Sequence, residues 1–254
     1  MELFEHNRIA YESAAKMLEE RGRAAVIHPT GTGKSFIAFR LCEEHSSSRI
    51  CWLSPSEYIY RTQADNLVHA GGKVPENVVF YTYAKLMLLS DGELKDIRPE
   101  YIVLDEFHRC GAEIWGQGVR RLLELFPKAK VLGLSATNIR YLDNCRDMAD
   151  ELFGGNVASR MTLGEAIALG ILGAPRYVLS AYRLDKDLRK YARKVRGAKN
   201  KAVREEAEKY YEALRRALEK ADGLDKVFEK NIPDRTGKYI VFCSDYDHLT
   251  EMTE

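Results

Sequence analysis

The run His28-Pro29-Thr30-Gly31-Thr32-Gly33-Lys34-Ser35 constrains the fold of this chain more than any other stretch. Arg23 to Ile27, just before it, has the length and apolar content of a buried strand. Lys34 to Glu44, just after it, has the apolar spacing of a helix. A glycine loop joining a strand to a helix is the setting that phosphate binding requires. Glycines let the loop curl so that successive backbone N–H groups face phosphate oxygens, and the helix adds the positive end of its dipole. Pro29, Thr30, Gly31, Thr32 and Gly33 would form that cradle. Lys34 would reach the β- and γ-phosphates of ATP, and the Ser35 hydroxyl would coordinate Mg²⁺. The strict form of the pattern asks for glycine where His28 stands.

Two further strand ends follow in order. Tyr101 to Leu104 reads as a buried strand that delivers Asp105 and Glu106 at its carboxyl end, the edge where α/β sheets bind ligands. Hard cations prefer carboxylate oxygen, so Asp105 is expected to hold Mg²⁺, and Glu106 to polarise the water that attacks the γ-phosphate. Lys34, Asp105 and Glu106 are therefore the expected catalytic set. An Asp-Glu pair after a strand is a weak signal alone and a strong one after a phosphate loop. Ser135-Ala136-Thr137 closes another apolar strand, Val131 to Leu134, and by itself an N-cap or a strand end explains it equally well.

Strands and amphipathic helices alternate over residues 1–180, which predicts an α/β domain with a central, mainly parallel sheet. Further helices are expected at Arg8–Glu20, Ser56–Ala70, Tyr83–Leu89, Ile114–Phe126, Cys145–Phe153 and Leu163–Leu169. Further strands are expected at Ile50–Leu53, Val78–Tyr81 and Arg176–Leu179. Residues 181–232 change texture to Lys, Arg, Glu, Ala and Leu, and read as two helices broken near Gly197 to Lys201. Lys238 to Cys243 reads as a new buried strand, so residues 233–254 are expected to open a truncated second domain.

A chain of 254 residues with 45% hydrophobic and 30% charged residues can form one large domain and part of another. Its net charge of +1 excludes a uniformly cationic nucleic-acid binder, so any basic surface must be local. Lys186 to Arg204 is such a stretch. Arg189, Lys190 and Arg193 there are expected to contact phosphates, the blander alternative being a solvated helix face. Tyr191 is the lone aromatic of that run, so no base-stacking platform is expected. Five scattered cysteines without a C-x-x-C pair argue against zinc and disulfides and suit a reducing cytosol. No signal peptide and no apolar run near the roughly 20 residues of a membrane span are evident, so a cytoplasmic protein with no membrane partner is expected.

Taken together and in this order, the three strand-end motifs resemble the first RecA-like motor domain of superfamily 2 helicases, with Asp105-Glu106-Phe107-His108 as a variant of the DExH box. The resemblance implies that His108, Ser135, Ala136 and Thr137 couple nucleotide state to domain movement. It also implies that Ser54, Pro55 and Ser56, ahead of the helix holding Arg61 and Gln63, touch the nucleic-acid backbone, as do Thr82 and Tyr83. Asn7 falls near the adenine-reading glutamine of many members. Leu163 to Leu172 with Pro175 is similar to the helicase subunits of type III restriction enzymes. That likeness favours DNA over RNA and leaves room for a nuclease or methylase partner. Motifs carrying the arginine finger would follow residue 254, so weak turnover is expected of this chain alone. A nucleotide-binding scaffold or switch without translocation stays open, with intact Lys34, Asp105 and Glu106 counting against it.

Overall fold

The computed structural model describes residues 2–140, 145–175, 184–220, 229–232 and 236. The chain divides into two units, Met1–Ala174 and Pro175–Glu254. The expected strands at Arg176–Leu179 and Lys238–Cys243 lie outside the described residues.

In the first unit the order is α1 (Glu5–Arg21), β1 (Arg23–Ile27), α2 (Lys34–Glu44), β2 (Ile50–Ser54), α3 (Glu57–His69), β3 (Val78–Thr82) and α4 (Tyr83–Leu88). There follow α5 (Asp91–Ile97), β4 (Tyr101–Asp105), a 3₁₀ turn (Phe107–Gly111), α6 (Glu113–Leu125), β5 (Lys130–Ser135), β6 (Ile139–Arg140) and β7 (Arg146–Asp147). The unit closes with α7 (Met148–Phe153), β8 (Val157–Arg160) and α8 (Leu163–Ala168). The second unit holds α9 (Leu184–Gly197) and α10 (Lys201–Lys220).

Six strands form one sheet in the order β3-β2-β4-β5-β1-β8, and every pairing in it is parallel. Successive residues of a strand face opposite sides, and a parallel sheet is covered on both. Ala24, Val26, Trp52, Val103 and Leu132 accordingly pack with α1, α2 and α3. Ala25, Ile27, Cys51, Leu53, Ile102 and Leu104 pack with α4 to α7 on the other face. Trp52 is fully buried in an aromatic file, with centroids 4.8 Å from Phe39 and 5.3 Å from Tyr60, and Tyr60 stacks on Phe80 at 4.4 Å. Each such pair contributes about 0.5–1.5 kcal/mol beyond its buried area. Gly133 of β5 is required by packing, because a Cβ there would overlap the Phe153 ring of α7.

Several elements depart from the sequence expectation, β6, β7 and the 3₁₀ turn among them. α5 is an added helix, started by a capping box in which Ser90 and Glu93 satisfy each other's backbone N–H. The helix expected from Cys145 begins at Met148, because the Asp147 carboxylate accepts from Ala149 N at 2.8 Å and residues 146–147 pair with β6 instead. β8 is an edge strand of four residues, too short and too polar to stand out in the sequence.

Candidate nucleotide-binding site

The phosphate loop connects β1 to α2 at the carboxyl edge of the sheet. Gly31 (φ 90°) and Gly33 (φ 82°) adopt the left-handed conformation that only glycine takes freely. At Gly33 a Cβ would also fall 2.8 Å from Asn7 Nδ2. Thr32 Oγ1 donates to the Pro29 carbonyl at 2.8 Å, and Lys34 Nζ donates to the same oxygen at 3.1 Å. Burial lowers the Lys34 pKa, while the charges of Glu106 and Asp105 pull it back up. A lysine so desolvated interacts strongly with any anion placed beside it.

Asn7 sits beneath this loop. Its side chain is fully buried, and Nδ2 donates to the Thr32 carbonyl at 2.9 Å and the Gly33 carbonyl at 3.3 Å. His6 Nε2 lies 2.8 Å from the same Thr32 oxygen; a carbonyl only accepts, so that nitrogen carries a proton. Asn7, expected to read adenine, thus braces the cradle through Nδ2, while its Oδ1 is buried without a partner among the described residues.

Asp105 ends β4 and is 3% exposed. Its Oδ2 accepts from Gln63 Nε2 at 2.9 Å and Ser54 Oγ at 3.3 Å, and its backbone carbonyl accepts from Tyr83 Oη at 2.7 Å. Burial pushes its pKa up to about 6, with Gln63 the main opposing influence, Glu106 adding to the rise, and Lys34 opposing it. A buried carboxylate that its neighbours compensate so incompletely, with the Ser35 hydroxyl at the start of α2, is a donor set that fits a hard divalent cation.

Ser54 and Tyr83, expected to contact nucleic acid, are fully buried with their hydroxyls on Asp105. Ser56 and Thr82 cap α3 and α4, accepting from Ile59 N at 3.2 Å and Lys85 N at 3.1 Å, and Pro55 is half-buried. Gln63 enters the site as a residue whose role the sequence did not mark: glutamine on a partly exposed helix face carries no pattern of its own.

Glu106 has φ 53° and ψ 48°, which turns its side chain off the strand end, and its Oε2 lies 3.3 Å from His108 Nδ1. His108 Nδ1 is also 2.7 Å from Ser135 Oγ. The Ser135 hydroxyl donates to the Thr137 carbonyl at 2.6 Å and accepts from Thr137 N at 3.3 Å. With that proton spent, His108 Nδ1–H must be the donor, which leaves Nε2 as acceptor in the neutral ring. Burial, helped by Arg109, Arg140 and Lys34, lowers the His108 pKa and favours that neutral form. Arg140 Nη1 fixes the same turn through the His108 carbonyl at 3.0 Å. Ala136 and Thr137 line an open depression of about 450 Å³ beside the loop, together with Pro29, Thr30, Arg160 and Met161.

His28 is almost fully buried, with Nε2 2.8 Å from Ser159 Oγ and Nδ1 without a partner among the described residues. Burial, with His6 and Lys34 nearby, lowers its pKa from 6.5 to about 4. The unfolded chain therefore binds a proton that the folded chain refuses, and His28 removes stability as pH falls from 6.5 towards 4. Asp105 acts oppositely: with its folded pKa raised from 3.8 to about 6, its contribution is lost as pH rises through that window. Comparing wild type with His28→Asn isolates the histidine. The stability gap measured by urea unfolding should be about 2 kcal/mol larger at pH 7.5 than at pH 5. Parallel profiles would show that folding leaves the His28 pKa unshifted.

The α9 residues Arg189, Lys190 and Arg193 are exposed, and Tyr191 stacks on Tyr210 of α10 at 5.3 Å within the second unit. Among the described residues no cluster of His, Cys, Asp and Glu forms a metal centre, and no helix is long and apolar enough to cross a membrane.

A family model described as "Type III restriction enzyme, res subunit" matches residues 1–140. Among solved structures, the ATP-dependent Type ISP restriction-modification enzyme LlaBIII bound to DNA aligns with 75% of this chain and 17% of its own. Its TM-score is 0.54 and its identity 19%. The Hef helicase domain of Pyrococcus furiosus aligns with 74% of this chain and 45% of its own, with a TM-score of 0.51 and 17% identity. This chain thus spans less than half of either protein, and likenesses at such identity speak for the fold. No curated protein matches it. With more than half of its residues matched, the chain belongs to the family of the type III restriction enzyme res subunit.

Proposed function

We propose that this chain is the ATP-binding wall of a nucleic-acid translocase, acting on DNA in preference to RNA. The observation that carries the reading is the convergence of Lys34, Asp105 and Glu106 at one sheet edge, with the charges of both carboxylates acting on the buried lysine. Lys34 and the loop N–H groups bind the phosphates, and Glu106 orients water and takes its proton. Mg²⁺ held by Ser35 and Asp105 neutralises phosphate charge when bound. The His108–Ser135 bond joins this site to the β5 end, so a change at the γ-phosphate reaches Thr137 through two hydrogen bonds. A nuclease or methylase partner is in keeping with the restriction family.

ATP turnover measured with and without single-stranded DNA and RNA tests the proposal. Stimulation of at least about tenfold by DNA, and less by RNA, is expected, this range being that of typical couplings. Binding of ATP without response to either nucleic acid would favour a nucleotide switch instead.

The same reading assigns phosphate contact to Arg189, Lys190 and Arg193. Reversing their charges should weaken DNA binding and flatten its salt dependence, by about one unit of log–log slope for each phosphate no longer neutralised. An unchanged salt slope would make α9 an ordinary solvated face.

A further inference from the structure

β8 runs parallel to β1, with Arg160 opposite Ile27, the last residue before the phosphate loop. Paired residues of neighbouring strands face the same side of a sheet, so Arg160 leaves β8 with Ile27 and away from the His28–Ser159 contact. The backbone just beyond it is fixed. Met161 N donates to the Ile27 carbonyl at 2.9 Å, and Thr162 and Glu165 close a capping box at the start of α8. The Arg160 backbone is thereby held one strand spacing, about 4.8 Å, from the strand that opens into the loop. The fold makes no use of the guanidinium: Arg160 is exposed and has no hydrogen bond or ion pair among the described residues. Asp147 feels its charge, but Asn138 Nδ2 at 2.6 Å and Ala149 N at 2.8 Å already hold that carboxylate. Arg160 lines the depression of about 450 Å³ together with Pro29 and Thr30 of the loop and with Ala136 and Thr137 beyond β5. A guanidinium is a planar fork that matches two phosphate oxygens, and one left unpaired in a concavity beside a phosphate loop is placed for such a contact.

Which phosphate it meets follows from the other wall of the depression. Glu106, the proposed base, leads through His108 and Ser135 to Thr137, so the Thr137 side belongs to the end of the site where the terminal phosphate is attacked. His6 and Asn7 hold the loop elsewhere, at Thr32 and Gly33. We infer that Arg160 contacts the γ-phosphate of bound ATP in cis, so that this unit by itself tells ATP from ADP. The guanidinium neutralises charge on the γ-phosphate oxygens, whose charge is spread over all three when the phosphoryl group transfers. The inference deepens the proposed ATP site and rests on that reading.

Equilibrium binding of a non-hydrolysable ATP analogue and of ADP, to wild type, Arg160→Gln and Arg160→Lys, tests this. Glutamine should weaken the analogue about 10-fold or more, the effect of losing one charge-assisted contact, and leave ADP within about twofold. Lysine keeps the charge and loses the fork, so its affinity for the analogue should fall between wild type and glutamine. An unchanged affinity for the analogue in Arg160→Gln overturns the inference. So does an equal loss for both nucleotides, which is what a merely structural arginine would give. A single-stranded oligodeoxynucleotide supplies a further arm: a loss of affinity for it alone would assign the guanidinium to a strand phosphate instead. Wild type that binds neither nucleotide would refute the phosphate-loop reading itself, a failure distinct from that of Arg160. Should neither variant fold, wild-type protein that binds the analogue no more tightly than ADP overturns the inference.

Discussion

Lys34→Ala is expected to lower ATP turnover by about 10²–10³-fold, the usual effect of deleting one preorganised group that faces charge developing in the transition state. Lys34 is 9% exposed, and burial has already weakened its hold on its proton. An ammonium in that setting has little water to give up when a phosphate arrives, so its attraction for the γ-phosphate is poorly screened. The bond it keeps to the Pro29 carbonyl, at 3.1 Å, is a neutral-acceptor contact that a phosphate oxygen readily displaces. Alanine also leaves Asp105 and Glu106 without the cation that acts on both. Nucleotide affinity should therefore fall together with turnover, as followed with a fluorescent ATP analogue. Turnover within about threefold of wild type would show that the loop is not the phosphate site.

Glu106→Gln should give the opposite split: turnover lower by about 10²–10⁴-fold, with nucleotide affinity nearly unchanged. Glutamine has the same shape, so the backbone that aims the side chain is kept. That backbone is left-handed at a non-glycine residue, which costs about 1–2 kcal/mol, and it is secured by Arg109 N donating to the Glu106 carbonyl at 2.9 Å. A strained residue held this way maintains its direction when the carboxylate is replaced, and His108 Nδ1–H can still reach the amide oxygen. Only the capacity to take a proton from water is lost. A variant that binds ATP about ten times more weakly would instead place Glu106 on the nucleotide itself.

The parts of this site written as strand-loop-helix punctuation were legible in the sequence. β1, the glycine loop and α2 follow from an apolar run, φ-permissive glycines and helical spacing, and β4 with its two carboxylates follows from the same logic. What stayed hidden was the direction of side chains that no periodicity governs. Tyr83 follows a strand and reads as an exposed contact, yet its ring is fully buried with its hydroxyl on the Asp105 carbonyl. Asn7 Nδ2 holds the Thr32 and Gly33 carbonyls, a contact with residues 25 and 26 positions away that no local pattern announces. Gln63 had no signal at all, since its partner lies 42 residues away in the chain. The capping box of α5, by contrast, was present in Ser90-Asp91-Gly92-Glu93 and recoverable from spacing alone.

One strand separates the lysine from the carboxylates. β5 pairs with β1 on one side and β4 on the other, so the loop and the acidic pair stand two strand spacings apart, about 10 Å. Hydrogen-bonded ladders do not stretch, and the Phe153 ring covers the face of β5 at Gly133, where a Cβ would not fit. The sheet therefore acts as a gauge block for the site, with a width that does not depend on helices or loops. On the proposed function a phosphate chain would be measured against that fixed gap, and changes on the outer helices would alter what approaches the jaws without altering their setting.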